Sequence, residues 1–218
     1  MSNLFNPDNA IMQFITKIAH CAYLNFLWFL CCLPIFTIGA STTALFYVTL
    51  KMVKNEEGNL TSSFFHSFKE NFKQGTIIWL ILLVIGVVLG IDGYVLYHMR
   101  FSNAFWTIIT AFFFIAVAAY TIILMYIFPL LSRFQNTTLA MFKNSMILGM
   151  RFLLCTFLMA AIYFIMAYVV INLFTPAIIF GHGLCAFLCS YLLSNILTLC
   201  QGKTEDVQDQ KGFYELSN

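Results

Sequence analysis

The sequence predicts an all-α fold: a polytopic transmembrane helical bundle of about six spans, with amphipathic interfacial helices along its cytoplasmic side. Three observations lead there. Apolar runs recur at 76–97, 104–131, 152–174 and 177–199, each near the roughly 20 residues that cross a bilayer as a helix. Hydrophobic residues are 61% of the chain and charged residues 9%, where soluble domains carry about 25% charged. Lysine and arginine, finally, collect in short strips between the runs.

The chain opens without the basic stretch and small-residue cleavage site of a signal peptide, so the first apolar run is expected to stay as a helix. That first stretch, 11–53, is too long for one ordinary span and contains a breaker at Pro34. Proline removes a helical N–H and biases Leu33 toward extended backbone. Gly39 tolerates irregular backbone and Ser41 is a good N-cap. The expected layout is a helix over 9–33, an elbow, and a second helix over 41–54. A single kinked helix running through Pro34 is the alternative, and it lowers the count to five spans.

After the hairpin comes an amphipathic segment. Leu60, Phe64, Phe65, Phe68 and Phe72 recur at helical spacing, with His66, Lys69, Glu70 and Lys73 opposite. Such a helix lies in the membrane interface, rings inward and lysines at the headgroups. A weaker copy carries Leu139, Phe142, Lys143 and Met146. In both copies a glycine, Gly75 or Gly149, stands seven residues after the phenylalanine of the Phe-Lys pair. A unit of span, interfacial helix and span therefore repeats faintly in the same direction, as in some transporter folds.

Orientation follows from the cations. Lys51, Lys54, Lys69 and Lys73 fall in one connection and Arg133, Lys143 and Arg151 in another, while 98–103 holds only Arg100 and 172–176 none. The positive-inside rule puts the two rich strips in the cytoplasm. The bundle occupies 1–201, and 202–218, with four of the nine acids, reads as a flexible cytoplasmic tail. Lys17 favours an N-terminus on the same side.

The residues Leu33-Pro34, the run from Thr37 through Leu45, Tyr47 to Lys51, Asn55 to Gly58, and Ser67 to Gln74 together resemble the YesL-like family. This is a group of bacterial integral membrane proteins defined by a domain of unknown function. The resemblance spans the chain in layout, and its specific part is 33–73. It implies the bacterial plasma membrane and a link to carbohydrate uptake, since members are often encoded beside sugar ABC transporters and sensor systems. It brings no catalytic residues.

Candidate sites are few. The elbow gathers Pro34, Thr37, Gly39, Ser41, Thr42 and Thr43, either around a ligand at a helix N-terminus or simply bonded to neighbouring backbone. Asp92 is the acid inside a confident span, and such carboxylates are functional suspects. It lies within about two turns of the outer end, where His98 or Arg100 could pair with it. Gly86, Gly90 and Gly93 form a small-residue face for close helix packing. Seven cysteines in apolar surroundings lack a disulfide framework. Cys185 and Cys189 share a helix face open in principle to a soft metal, though buried cysteine usually packs as a small hydrophobe. A net charge of +2 gives no reason to expect nucleic acid, and no HExxH, phosphate loop or serine elbow is present.

The expectation is thus a non-enzymatic accessory partner of a carbohydrate ABC transporter or sensor kinase, embedded in the lipid bilayer, with no cofactor and no metal. A homo-oligomer stays open. The alternative is a small solute transporter or channel with its site at the broken first helix.

Overall fold

The computed structural model describes residues 10–56, 58–98, 104–172 and 181–199. The tail 202–218, Arg100, Glu57, Cys200 and the connection 173–180 lie outside the described residues. Every helix that the apolar runs predict is present. They are α1 (Ala10–Cys31), α2 (Ile38–Val53), α3 (Leu60–Glu70), α4 (Phe72–His98), α5 (Ala104–Leu131), α6 (Thr138–Arg151) and α7 (Leu153–Asn172), followed by α8 (Gly181–Leu199). Among the described residues, five segments are long and apolar enough to cross a membrane, and Ile15–Cys31 is a shorter apolar helix.

The first stretch is a true hairpin. Trp28 on α1 donates through Nε1 to the Thr42 hydroxyl on α2 (3.1 Å), and near the open end Lys17 Nζ donates to Asn55 (2.7 Å). One kinked helix could not bring those pairs together. The second helix starts at Ile38, three residues earlier than the sequence predicts, because a single 3₁₀ turn, Ile35–Thr37, leads into it. Ser41 therefore lies inside α2, fully buried, and does not cap it.

Burial sorts the spans by residue size. Twelve of the 16 residues of α2 are buried. Its Gly39-Ala40-Ser41-Thr42-Thr43-Ala44 run has little side-chain bulk, so neighbouring backbones approach closely. Helix α8 is the second inner helix, with Ala186, Cys189, Ser190 and Leu193 fully buried. By contrast α4, α5 and α7 are apolar all round and expose large side chains such as Val84, Phe112 and Phe164, as helices facing lipid do. The two inner helices are joined by a bond between the Thr49 and Ser190 hydroxyls (2.8 Å, buried). Thr49→Val should lower bundle stability by about 0.6 to 1.7 kcal/mol, the range for such bonds between spans. Thermal unfolding in detergent checks it, with Thr49→Ser expected to retain the wild-type midpoint.

Both amphipathic helices are capped by side chains. Asn59 accepts from Ser62 N (3.2 Å) at α3, and Thr137 accepts from Ala140 N (3.4 Å) at α6. Each then turns into the following span, at Asn71 and Phe152 respectively. The repeated glycines have matching uses. A Cβ on Gly75 would come 3.0 Å from Ala40 Cα of α2, and one on Gly149 would run into Ile122 of α5. In each half, the glycine is where the chain folds back onto its own preceding span.

Candidate functional site

The elbow is closed by its own hydrogen bonds. The Thr37 hydroxyl lies within bonding distance of two carbonyl oxygens, Cys31 O (2.5 Å) and Pro34 O (2.6 Å), at the break. Thr42 and Thr43 donate back to Ile38 O (2.7 Å) and Gly39 O (2.9 Å). From α4, Trp79 Nε1 donates to Ile35 O (2.8 Å). These bonds satisfy irregular backbone that water cannot reach, the condition for such backbone inside a membrane. Trp79 stands only seven residues into α4, so about 28 Å of that helix continues past the elbow at 1.5 Å per residue. The elbow therefore sits beside the spanning length of α4. Leu33, Ile35 and Phe36 are exposed there, suited to hydrocarbon.

Gly39 permits this closeness: a Cβ would fall on the Gly75 carbonyl oxygen and 2.6 Å from Trp79 Cβ. Beside the elbow opens a cavity of about 420 Å³ whose wall includes Trp28, Thr42, Trp79, Phe128, Tyr163 and His182. Thr42 is the hydroxyl of the six elbow positions that reaches it; Thr37, Ser41 and Thr43 are turned into packed surroundings. The rest of the wall was invisible to sequence reasoning. Trp79 and His182 are more than a hundred residues apart, and no periodicity links them.

Asp92 is exposed on α4 and lines a separate cleft between α4 and α5 with Trp106 and Phe113, of about 450 Å³. His98, one of the two neighbours within reach of it by sequence, contacts the Tyr94 carbonyl through Nδ1 (3.0 Å). Arg100 lies outside the described residues. Of the three glycines on this face, Gly86 and Gly93 receive Tyr120 and Phe113 of α5, while a Cβ on Gly90 would meet nothing within 4 Å.

The end of the bundle opposite Asp92 collects the cations. Every lysine and arginine among the described residues lies there, accompanied by Glu56 and Glu70. Gln135 donates to Glu70 (2.9 Å) and Gln74 to Asn136 O (2.7 Å), which ties the α3–α4 turn to the α5–α6 turn. From α3 into the first residue of α4 the rings form a ladder, Phe64 to Phe68 at 6.5 Å and Phe68 to Phe72 at 5.4 Å. Phe64 is fully buried against the core, Phe142 is half-buried, and Lys69, Lys73 and Lys143 are exposed. Lys51 Nζ lies 4.5 Å from the Tyr47 ring centroid and Arg133 5.9 Å, both in cation–π range. Burial lowers the Arg133 guanidinium from its ordinary pKa, while Glu56 and Tyr47 push it back up. Among the described residues no three His, Cys, Asp or Glu side chains gather to hold a metal. Cys185 and Cys189 are free and buried.

A bundle of lipid-facing apolar helices around two inner ones, with its described lysines and arginines gathered at one end, defines a polytopic α-helical membrane protein. Within that class the chain is similar to the YesL-like proteins: residues 21–93 match the family described as "Protein of unknown function, DUF624". The matched region runs from α1 through most of α4 and contains the whole elbow. The chain is similar to "Uncharacterized protein YteU" of Bacillus subtilis (strain 168), 29% identical over 169 residues, 72% of this chain and 73% of that one. It is also similar to "Uncharacterized protein YesL" of the same organism, 26% identical over 140 residues, 62% of this chain and 64% of that one. No solved structure matches it.

Proposed function

We propose that this protein is a non-enzymatic accessory subunit of the bacterial plasma membrane, docking a carbohydrate ABC transporter or its sensor kinase through its lysine-rich end. The carrying observation is the segregation of charge. Among the described residues, exposed Lys54, Lys69, Lys73 and Lys143 share one end with Glu56 and Glu70. A basic surface steers and registers an acidic partner surface more than it supplies affinity. By the positive-inside rule that end faces the cytoplasm, where nucleotide-binding subunits and kinase domains work. The expected result is that transporter or kinase subunits co-purify with the protein from native membranes in mild detergent. Reversing Lys69, Lys73 and Lys143 to glutamate should release them without unfolding the bundle. Wild-type protein that comes out alone would defeat the proposal. Orientation has its own check: a Lys54→Cys variant should react with an impermeant maleimide only after cells are opened.

The second reading, a small solute transporter with its site at the broken hairpin, draws on the cavity of about 420 Å³ that reaches Thr42. The Thr37, Thr42 and Thr43 hydroxyls are bonded internally, and Ser41 is fully buried away from the cavity, which leaves a hydrophilic solute few partners. That chemistry favours the accessory role.

A further inference from the structure

Six helices contribute to the cavity beside the elbow, through Trp28, Thr42, Trp79, Met125, Tyr163 and His182. Its volume of about 420 Å³ is in the range that holds small ligands. The walls offer ring faces and hardly any polar atoms, because the polar groups are engaged within the protein. Trp28 Nε1 donates to Thr42, Trp79 Nε1 to Ile35 O, and the Thr42 and Thr121 hydroxyls to Ile38 O and Val117 O. The Tyr163 hydroxyl is beside the Cys189 thiol. His182 differs. Its Nε2 is buried and has no hydrogen-bond partner. The ring is held against Trp28, centroids 4.3 Å apart and planes tilted by 32°, with Tyr163 at 6.2 Å. A buried nitrogen left unpaired is costly, and native structures normally give it a partner. At the rim, Thr121 is exposed on α5, a helix whose neighbouring side chains face lipid.

We infer that this cavity binds a membrane-soluble molecule, an apolar chain or ring system with a single hydroxyl that hydrogen-bonds to His182 Nε2. A hydroxyl both donates and accepts, so it satisfies either tautomer of a neutral imidazole. A carboxylate or ammonium would lose its hydration with no opposite charge to meet it. A sugar would bury several hydroxyls against one unpaired nitrogen. The ligand enters sideways from the bilayer past Thr121, so the inference does not depend on what docks at the basic end.

The test uses the full chain in phosphatidylcholine vesicles with Trp106→Phe, which leaves Trp28 and Trp79 as fluorophores at the cavity. The probes are bromoundecanol, whose bromine quenches tryptophan, and bromoundecane, which lacks the hydroxyl. Quenching by the alcohol should saturate, with half-saturation about 2- to 10-fold lower than for the bromoalkane, the factor expected from one hydrogen bond. His182→Leu should erase that preference, His182→Asn should keep part of it, and Thr121→Phe should weaken both probes by narrowing the rim. Quenching that rises without saturation, as simple partition into lipid would give, overturns the inference. So does an equal half-saturation for the two probes in the His182 protein, a comparison that stands even if His182→Leu fails to fold. A preference that survives His182→Leu overturns it as well.

Discussion

Gly39→Ala should be among the most damaging single changes in this protein, lowering stability by about 3 kcal/mol, the upper part of the usual range for overpacking a filled site. The added carbon would strike the Gly75 carbonyl oxygen and come 2.6 Å from Trp79 Cβ. The first of these is backbone, which cannot swing aside. Relief requires α2 and α4 to separate, and separation stretches the 2.8 Å bond from Trp79 Nε1 to Ile35 O that closes the elbow. Gly75→Ala on the facing helix meets Ala40 Cα at 3.0 Å and should cost less, about 1 kcal/mol. Gly90→Ala is the control: its Cβ enters open space, so the better helix propensity of alanine should leave stability unchanged or raised by about 0.5 kcal/mol. Unfolding midpoints in one detergent, followed by far-ultraviolet circular dichroism, rank the three. If Gly39→Ala melts with Gly90→Ala, the close crossing of α2 on α4 is wrong.

That ranking shows how much a sequence carries and where it stops. Glycines 86, 90 and 93 read as one small-residue face, yet α5 sends Tyr120 and Phe113 only to the first and third. Spacing reveals that a face can be approached closely; which position receives a ring depends on the partner's register. The same division runs through the elbow. Pro34 marks the break because its chemistry is local. The start of α2 at Ile38 was not legible, since it depends on a 3₁₀ turn held by Thr37 and on a tryptophan 44 residues away. The spans were legible throughout because length and apolarity are properties of single segments. Their sorting into inner and outer helices was partly so: the small residues of α2 and the Ala186, Ser190, Ser194 stripe of α8 are readable, but the companions of His182 come from helices scattered along the chain. The sequence places Phe64, Phe68 and Phe72 in the membrane interface, rings toward the acyl boundary. In the structure Phe64 is wholly inside and Phe72 exposed, since an apolar helix face packs equally well against hydrocarbon or against another span.

Asn25→Leu is the second change expected to have a large effect, a loss of about 2 to 3 kcal/mol from stranding a buried donor. Asn25 is fully buried on α1, and its Oδ1 accepts from Gly183 N at 2.8 Å across 158 residues. Gly183 is the third described residue of this helix, and its backbone N–H is met by a side chain from α1. Gly183 makes the approach possible: a Cβ there would lie 2.6 Å from Cys21 O and 3.0 Å from Asn25 Cβ. Gly183→Ala should therefore weaken the same seam by an independent route. Both variants should melt earlier than wild type, and limited proteolysis should cut first at the ends of α8. A wild-type midpoint for Asn25→Leu would show that the seam carries no weight. Because Asn25 lies inside the matched region 21–93 and Gly183 far outside it, the bond makes the first hairpin depend on the last helix. A chain ended after α4 would lose both that bond and the Thr49–Ser190 pair, leaving α2 with its inner face bare.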